Sequence, residues 1–367
     1  MDCTKDNRIV MTLDAGGTNF VFSAIRGGKI IVEPIKYPSN ADDLDKCLHN
    51  IINGFKDVEK ELDDIKPVAI SFAFPGPADY PKGIIGDLGN LPAFRGGIAL
   101  GPMLEDLFGL PVFINNDGNL YAYGEAIAGF LPEINQKLMA AGSPKRFKNL
   151  IGFTLGTGFG AGLVIDSHLI IGDNSNAGEV WLLRNKFFEN LNAEESASIR
   201  AVKREYARES GIDDASFEPK DIYEIAIGKR NGNKDAALKA FNHMAKAIGD
   251  AAANVATLID GLVVFGGGIS GAKDLFLKTL VDEMNGHFDK LDGSKMPRMA
   301  VKAFNLDDER ELSAFLEGQK KEIQVPMTHK KVSYDPLGRI GVGVSKIGTS
   351  EAISIGAYAF ALQQLDK

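Results

Sequence analysis

Three features of the 367-residue sequence predict an α/β protein built of two halves. Apolar, β-rich runs flank a glycine turn twice, at residues 8–25 and again at 150–165. An apolar strand segment ending in Asn115-Asn116-Asp117 runs directly into a helical pattern, and a long apolar stripe over residues 238–259 leads into a further strand and three glycines. With 44% hydrophobic and 25% charged residues the chain can bury a substantial core, and its length favours more than one domain-sized unit.

The first element is RIVMTLDAGGTNFVFSAI, two strand-like runs around a Gly-Gly turn, which is a hairpin signal. Gly16 and Gly17 carry no Cβ, so backbone N–H groups there can approach phosphate oxygens, and the Thr18 hydroxyl adds a donor. Asp14, ahead of the turn, is placed to hold Mg²⁺ through water, since magnesium keeps much of its hydration shell; an Asp that merely stabilises the turn is the plainer reading. Next, PVFINND ends a strand, and DGNLYAYGEAIAG continues with helical spacing through Leu120, Tyr123 and Ile127. Asp117 at this junction can accept a proton from a substrate hydroxyl, or it can cap the helix. The two roles compete, because backbone donors lower a carboxylate's pKa and make it a weaker base.

Residues 131–149, polar and interrupted by Pro132 and Pro144, read as an excursion from the core, as do residues 306–346, charged and then glycine-rich. Between them LIGFTLGTGFGAGLVI repeats the first hairpin's chemistry at Gly156, Thr157, Gly158 and Gly160, a weak internal repeat. Leu238, Phe241, Ala245, Ile248, Ala252, Val255 and Ile259 form the stripe of a long buried helix. Gly266, Gly267 and Gly268 after the strand LVVF offer a third close-approach surface, suited to a nucleotide. Neither G-x-x-x-x-G-K-[ST] nor a G-x-G-x-x-G between strand and helix occurs near the N-terminus, which argues against a P-loop enzyme and a dinucleotide-binding dehydrogenase.

A formal charge of −8 gives no general attraction to nucleic acid or to an anionic membrane. The opening MDCTKDNRIVMTLDAGG has no basic segment followed by an apolar core and cleavage site, and no run of about 18 apolar residues occurs, so a cytoplasmic location is expected. Cys3 and Cys47 are expected as free thiols, and the five scattered histidines give no zinc spacing.

Taken together, LDAGGTN at 13–19, FPGPAD at 74–79, GNLPAF at 89–94, GLPVFINNDGNLYAYGEA at 109–126, LGTGFGAGLVI at 155–165, VVFGGGIS at 263–270 and SIGAYAFAL at 354–362 resemble the ROK family of repressors and sugar kinases, within the actin-like ATPase superfamily. The blocks stand in the family's order from the first strand to the last helix. The resemblance implies two ribonuclease H-like α/β domains around a central cleft: residues 1–117 with a C-terminal helix 352–367 packing back on them, and a larger domain 118–351. It implies ATP and Mg²⁺, with phosphates near the Asp14–Asn19 and Gly156–Gly160 turns and nucleotide contacts at Gly16, Gly17, Thr18, Asn19, Gly156, Thr157, Gly158, Gly160, Gly266, Gly267 and Gly268. It makes Asp117 the base that deprotonates a sugar hydroxyl, and gives Asn90, Asn116, Asp117, Glu179 and Glu194 as sugar contacts. A homodimer is the family's usual arrangement.

Two departures bear on the substrate. The family commonly reads G-E-x-G-H, where this chain has Gly178-Glu179-Val180-Trp181-Leu182, so a leucine replaces the histidine. The family's cysteine-rich zinc segment is replaced by FFENLNAEESASIRA, where Glu194 matches the sugar-contacting glutamate because Ala197 and Ser198 follow at the family's spacing. Its plainer reading is a solvated helix charge; Trp181 stacks on a sugar face or belongs to the core. The leading expectation is phosphorylation of a hexose hydroxyl, glucose to glucose 6-phosphate, with N-acetylmannosamine or N-acetylglucosamine as rival substrates. A sugar-binding regulator without catalysis is the alternative from another class. A DNA-binding repressor is disfavoured by the acidic charge and by the few residues ahead of the first strand.

Overall fold

A computed structural model describes residues 3–89, 91–212 and 217–367. The chain forms two compact units, one of Met1–Gly129, Gly162–Ala177 and Ile347–Lys367, the other of Phe130–Ala161 and Gly178–Lys346. The sequence reading placed the first boundary at 117, ahead of the helix Asp117–Ile127, which groups instead with the first unit. That helix lies against Thr349–Leu365 with almost no gap: a Cβ on Gly124 would fall 1.9 Å from the Ala352 carbonyl oxygen, and one on Gly356 1.9 Å from that of Leu120. The glycines and alanines of SIGAYAFAL are thus a helix-packing surface.

The first unit's sheet runs Lys29–Ile30, Asn19–Arg26, Ile9–Ala15, Ala69–Ala73, Val112–Asn115, with Ile35–Pro38 also pairing with Asn19–Arg26. The predicted hairpin is present, Asp14 facing Val21 across it, and the last three strands of the order are parallel. The helix Leu44–Leu62 buries Cys47, Ile51, Phe55, Val58 and Leu62, one face at helical spacing, and Asp43 caps it by accepting the Lys46 N–H at 3.1 Å. Its Phe55 meets Phe22 edge to face at 5.1 Å, within a core that also holds Phe20, Phe72, Phe74 and Phe94. Asp14 registers with Ala73 and Ala73 with Asn115, which brings Asp14 and Asn115 to the same carboxyl edge of the parallel strands. Open α/β sheets bind ligands at that edge.

The second sheet has the order His168–Ile170, Phe159–Ile165, Leu150–Leu155, Leu262–Gly266, Arg339–Val344, Lys302–Asn305. Again a glycine-turn hairpin is followed by parallel strands, so the repeat seen in sequence is a repeat of topology. The helix Lys234–Ile259, capped by Asn233, buries Phe241, Ala245, Ile248, Ala252 and Val255; Leu238, expected in that stripe, is 39% exposed, because the buried face at that turn is made by Ala237, Ala240 and Phe241.

Each of the two expected excursions contributes one element to the core, while most of its remaining residues are exposed or half-buried. Phe130–Ala140 is a helix that buries Phe130, Leu131, Ile134 and Leu138, with Pro132 in its first turn, where no intrahelical N–H bond is lost. Arg339–Val344 is a wholly buried strand between Leu262–Gly266 and Lys302–Asn305. Its glycines read as a loop in sequence, but Gly341 and Gly343 leave the room that Leu306 and Phe130 fill. Among the described residues no helix is long and apolar enough to cross a membrane.

Candidate active site

In the first unit the strand Ile9–Ala15 delivers Asp14 to the sheet edge, and the chain turns immediately, Gly16 N–H donating to Asn19 O at 3.0 Å. A Cβ on Gly16 would lie 2.9 Å from that same oxygen, so the turn needs glycine there; Gly17 faces open space. Ser39 fastens the turn from behind, its hydroxyl donating to Gly17 O at 2.6 Å and its N–H to Thr18 O at 3.0 Å. Gly17, Thr18 and Asn19 are left exposed.

Two strands away, Asn116 caps the helix Asp117–Ile127, its side-chain oxygen accepting the Gly118 N–H at 2.8 Å. The N-cap role proposed for Asp117 thus falls to its neighbour, although Asp117 Oδ1 also lies 2.8 Å from that N–H. Asp117 is solvent-accessible, yet protein fills most of the volume around it. That loss of bulk water raises its pKa, two backbone hydrogen bonds oppose the rise, and the Asp14 carboxylate adds to it by repulsion. Desolvation raises the Asp14 pKa as well. Beneath the pair lies a support that the sequence reading missed: buried Asn115 accepts from the Asn116 N–H at 2.8 Å and from the Asn119 amide at 3.0 Å. Asn119 stands in the first turn of the helix that follows the strand, within reach of Asn115. Asn90 lies outside the described residues.

In the second unit the turn Gly156-Thr157-Gly158 closes by Gly156 N–H to Gly158 O at 3.0 Å. Glu194, in the short helix Glu194–Ala197, accepts the Phe159 N–H at 3.0 Å through Oε2 and pairs with Arg200 at 2.8 Å through Oε1. It is therefore not a free solvated charge. Glu179 is half-buried and accepts the Trp181 indole N–H, while Leu182, at the position where a histidine was expected, is 59% exposed. The segment between them is organised by Asn185, whose side chain bonds Asn192 O, Ser196 Oγ and the N–H groups of Phe187 and Phe188, while Phe187 stacks on His243 with ring centroids 4.0 Å apart. Among the described residues no group of three His, Cys, Asp or Glu side chains could hold a metal ion.

The three glycines differ in role. Gly266 ends a buried strand, and Gly267 has φ +89° with the Leu155 carbonyl oxygen 2.3 Å from where a Cβ would stand. Gly268 lines a cavity of about 320 Å³ walled by Tyr223, Ile227, Phe241 and Ile269, with Lys220 and Glu224 at its polar side. An apolar slot with a few polar groups suits a planar heteroaromatic base.

Two α/β units, each opening on a glycine-turn hairpin followed by parallel strands, are the ribonuclease H-like architecture of the actin-like ATPases. The chain matches the ROK family over residues 10–310 and belongs to that family. It is similar to a glucokinase from Parabacteroides distasonis, 57% identical with a TM-score of 0.91 over 99% of each chain. It is also similar to the N-acetyl-D-glucosamine kinase of Photobacterium profundum, 28% identical over 276 residues that make up 72% of this chain and 85% of that one. A ROK family glucokinase from Streptomyces griseus, in complex with glucose and AMPPNP, shares the fold at 21% identity and TM-score 0.60, covering 97% of this chain and 99% of that one.

Proposed function

We propose that this protein is an ATP-dependent hexose kinase that converts glucose to glucose 6-phosphate. The observation that carries the reading is the 57% identity to a glucokinase over 99% of both chains. Asp117 is the general base: its accessible carboxylate and raised pKa suit a group that takes a proton from a sugar hydroxyl near neutral pH. Asn116 uses its side-chain oxygen as the helix cap and keeps its amide nitrogen to donate to a sugar hydroxyl. Asn90 and Glu179 complete the proposed sugar contacts, while Glu194, already bonded to the Phe159 N–H and to Arg200, holds the 156–158 turn. The exposed 16–19 turn and the 156–160 turn receive phosphate oxygens, and the cavity at Gly268 receives the base.

A divalent cation fits Asp14. The carboxylate is accessible, stands at the sheet edge, and lies beside a turn suited to phosphates, which is the sparse protein coordination that magnesium accepts. When bound, Mg²⁺ would neutralise phosphate charge. A homodimer in the cytoplasm completes the reading, and light scattering checks the dimer.

Sugar-dependent ADP release, measured with ATP and Mg²⁺ against hexoses and N-acetylhexosamines, tests the proposal. Turnover with glucose that disappears in Asp117→Asn supports it. Preference for an N-acetylhexosamine would move the substrate toward the Photobacterium relative, and ATP binding without turnover on any sugar would leave a sugar-binding regulator instead.

A further inference from the structure

We propose that the second unit carries a binding site for a small oxyanionic ligand, a phosphate ester or a carboxylate, in the cavity lined by His287, Arg298 and Lys302. The cavity holds about 510 Å³, a small-molecule size, and lies where two hairpins are rooted: His287–Asp289 with Lys295–Pro297 on one side, and Gln319 with Pro336 beside Lys321–Gln324 and Lys331–Tyr334 on the other. None of the residues assigned to sugar, nucleotide or catalysis lines it.

Its charge runs against that of the chain. The sequence has 49 acidic and 41 basic residues, yet the residues lining this cavity include a lysine, an arginine and a histidine and no carboxylate. Low-dielectric walls of one sign concentrate the field on an anion.

Arg298 is the second, independent observation. Its side chain is only 8% exposed and is held rigidly: Nη2 donates to the Asp250 carboxylate at 2.7 Å, to the Asp250 carbonyl at 2.9 Å and to Asn254 Oδ1 at 3.1 Å, and Phe288 lies 4.9 Å from the guanidinium. Asp250 therefore balances part of its charge. The Nε–H is buried without an acceptor. The Nη2 bonds fix the guanidinium in the wall of the cavity, ordered in advance for an oxyanion. The walls are also preformed, since the Arg298 N–H donates to Gly286 O at 2.9 Å and the Lys302 N–H to Gly338 O at 3.0 Å. A guanidinium held in place near an ammonium matches phosphate and carboxylate oxygens better than it matches a neutral ligand.

Equilibrium dialysis of the full chain with labelled inorganic phosphate, and separately with citrate, tests the site. The comparison protein is His287→Ala with Lys302→Glu; both positions are exposed, and circular dichroism checks that the fold is kept. The wild type should bind one equivalent of a probe that the double variant does not bind, or binds about tenfold more weakly. Phosphate as the tighter probe identifies a phosphate ester as the ligand class, and citrate identifies a carboxylate. Superimposable isotherms for the two proteins overturn the proposal, as does affinity of both probes weaker than about 10 mM in the wild type. Kinase activity does not enter the readout, so the outcome is independent of the proposed reaction.

Discussion

The Glu194 carboxylate accepts the backbone N–H of Phe159 at 3.0 Å while Arg200 holds its other oxygen at 2.8 Å. The bond ties a short helix to the first residue beyond the Gly156–Gly158 turn. A direct sugar contact would compete with both partners, whereas a role in holding the turn is already satisfied. Glu194→Gln keeps the shape and loses the charge, and charge-assisted bonds of this kind contribute about 1.5–3 kcal/mol. The KM for ATP is expected to rise about tenfold, with a smaller rise in the KM for sugar. A rise confined to the sugar KM would assign Glu194 to the sugar instead.

Asp117→Asn removes the proposed base and keeps the volume. Asn116 rather than Asp117 is the helix cap, so the helix start should survive. General-base catalysis contributes about 10²–10⁴-fold, and kcat should fall by that order with the thermal midpoint and both KM values little changed. Steady-state kinetics beside a melting curve separates lost chemistry from lost fold.

The pH profile follows from the sign of the Asp117 shift. Burial raises its pKa and Asp14 adds to the rise, so the carboxylate takes up its proton at a higher pH than an ordinary one, and the base is lost as pH falls through that raised value. The acid limb of kcat/KM should therefore lie above the usual Asp value of about 4. In Asp14→Asn the limb should move down in pH, whatever that variant does to the maximal rate. An unmoved limb would mean that the two carboxylates do not interact.

Gly267→Ala and Gly17→Ala are expected to part company. At Gly267 the new methyl meets the Leu155 carbonyl at 2.3 Å and the backbone stands at φ +89°, so the strand end must shift and stability should fall by about 1–3 kcal/mol. A Cβ on Gly17 meets nothing within 4 Å, so the melting temperature should hold and any effect should appear in the KM for ATP. Paired melting and kinetic measurements read both.

Both hairpins, the strand-to-helix junction at Asp117 and the long helix to Ile259 were legible because each is a local pattern: an apolar run, a turn residue, a helical period. Arg339–Val344 was not legible, since its glycines mark close packing on Leu306 and Phe130, and that information lies in side chains more than thirty residues away or on another element. The resemblance to the ROK family suggested roles for Asp117, Asn116 and Glu194. It could not supply the bond from Glu194 to Phe159 or the Asn115–Asn119 support, because hydrogen-bond partners across a turn leave no period in the chain. Nor could it show how FFENLNAEESASIRA is held, which depends on one asparagine reaching four partners.

Arg339 and Asp335 form a buried ion pair at 2.6 Å, with side chains 0% and 4% exposed. Asp335 also accepts the Gln319 N–H at 3.0 Å and the Leu337 N–H at 3.2 Å, so it both neutralises the arginine and ties down the segment ahead of the arginine's strand. Arg339 packs against Phe315 and has few other acceptors, the Leu337 carbonyl at 3.3 Å and Ser143 Oγ at 3.4 Å, and its Nε has none. Removing one partner of a buried pair leaves an uncompensated charge, a loss of about 3–5 kcal/mol, whereas replacing both by apolar groups is often close to neutral. Asp335→Leu alone should therefore lower the melting transition of the second unit sharply, and Asp335→Leu with Arg339→Met should recover most of the loss. Calorimetry of the two variants decides it: a double variant no more stable than the single one would show that the pair's backbone bonds, rather than its charges, hold this strand in place.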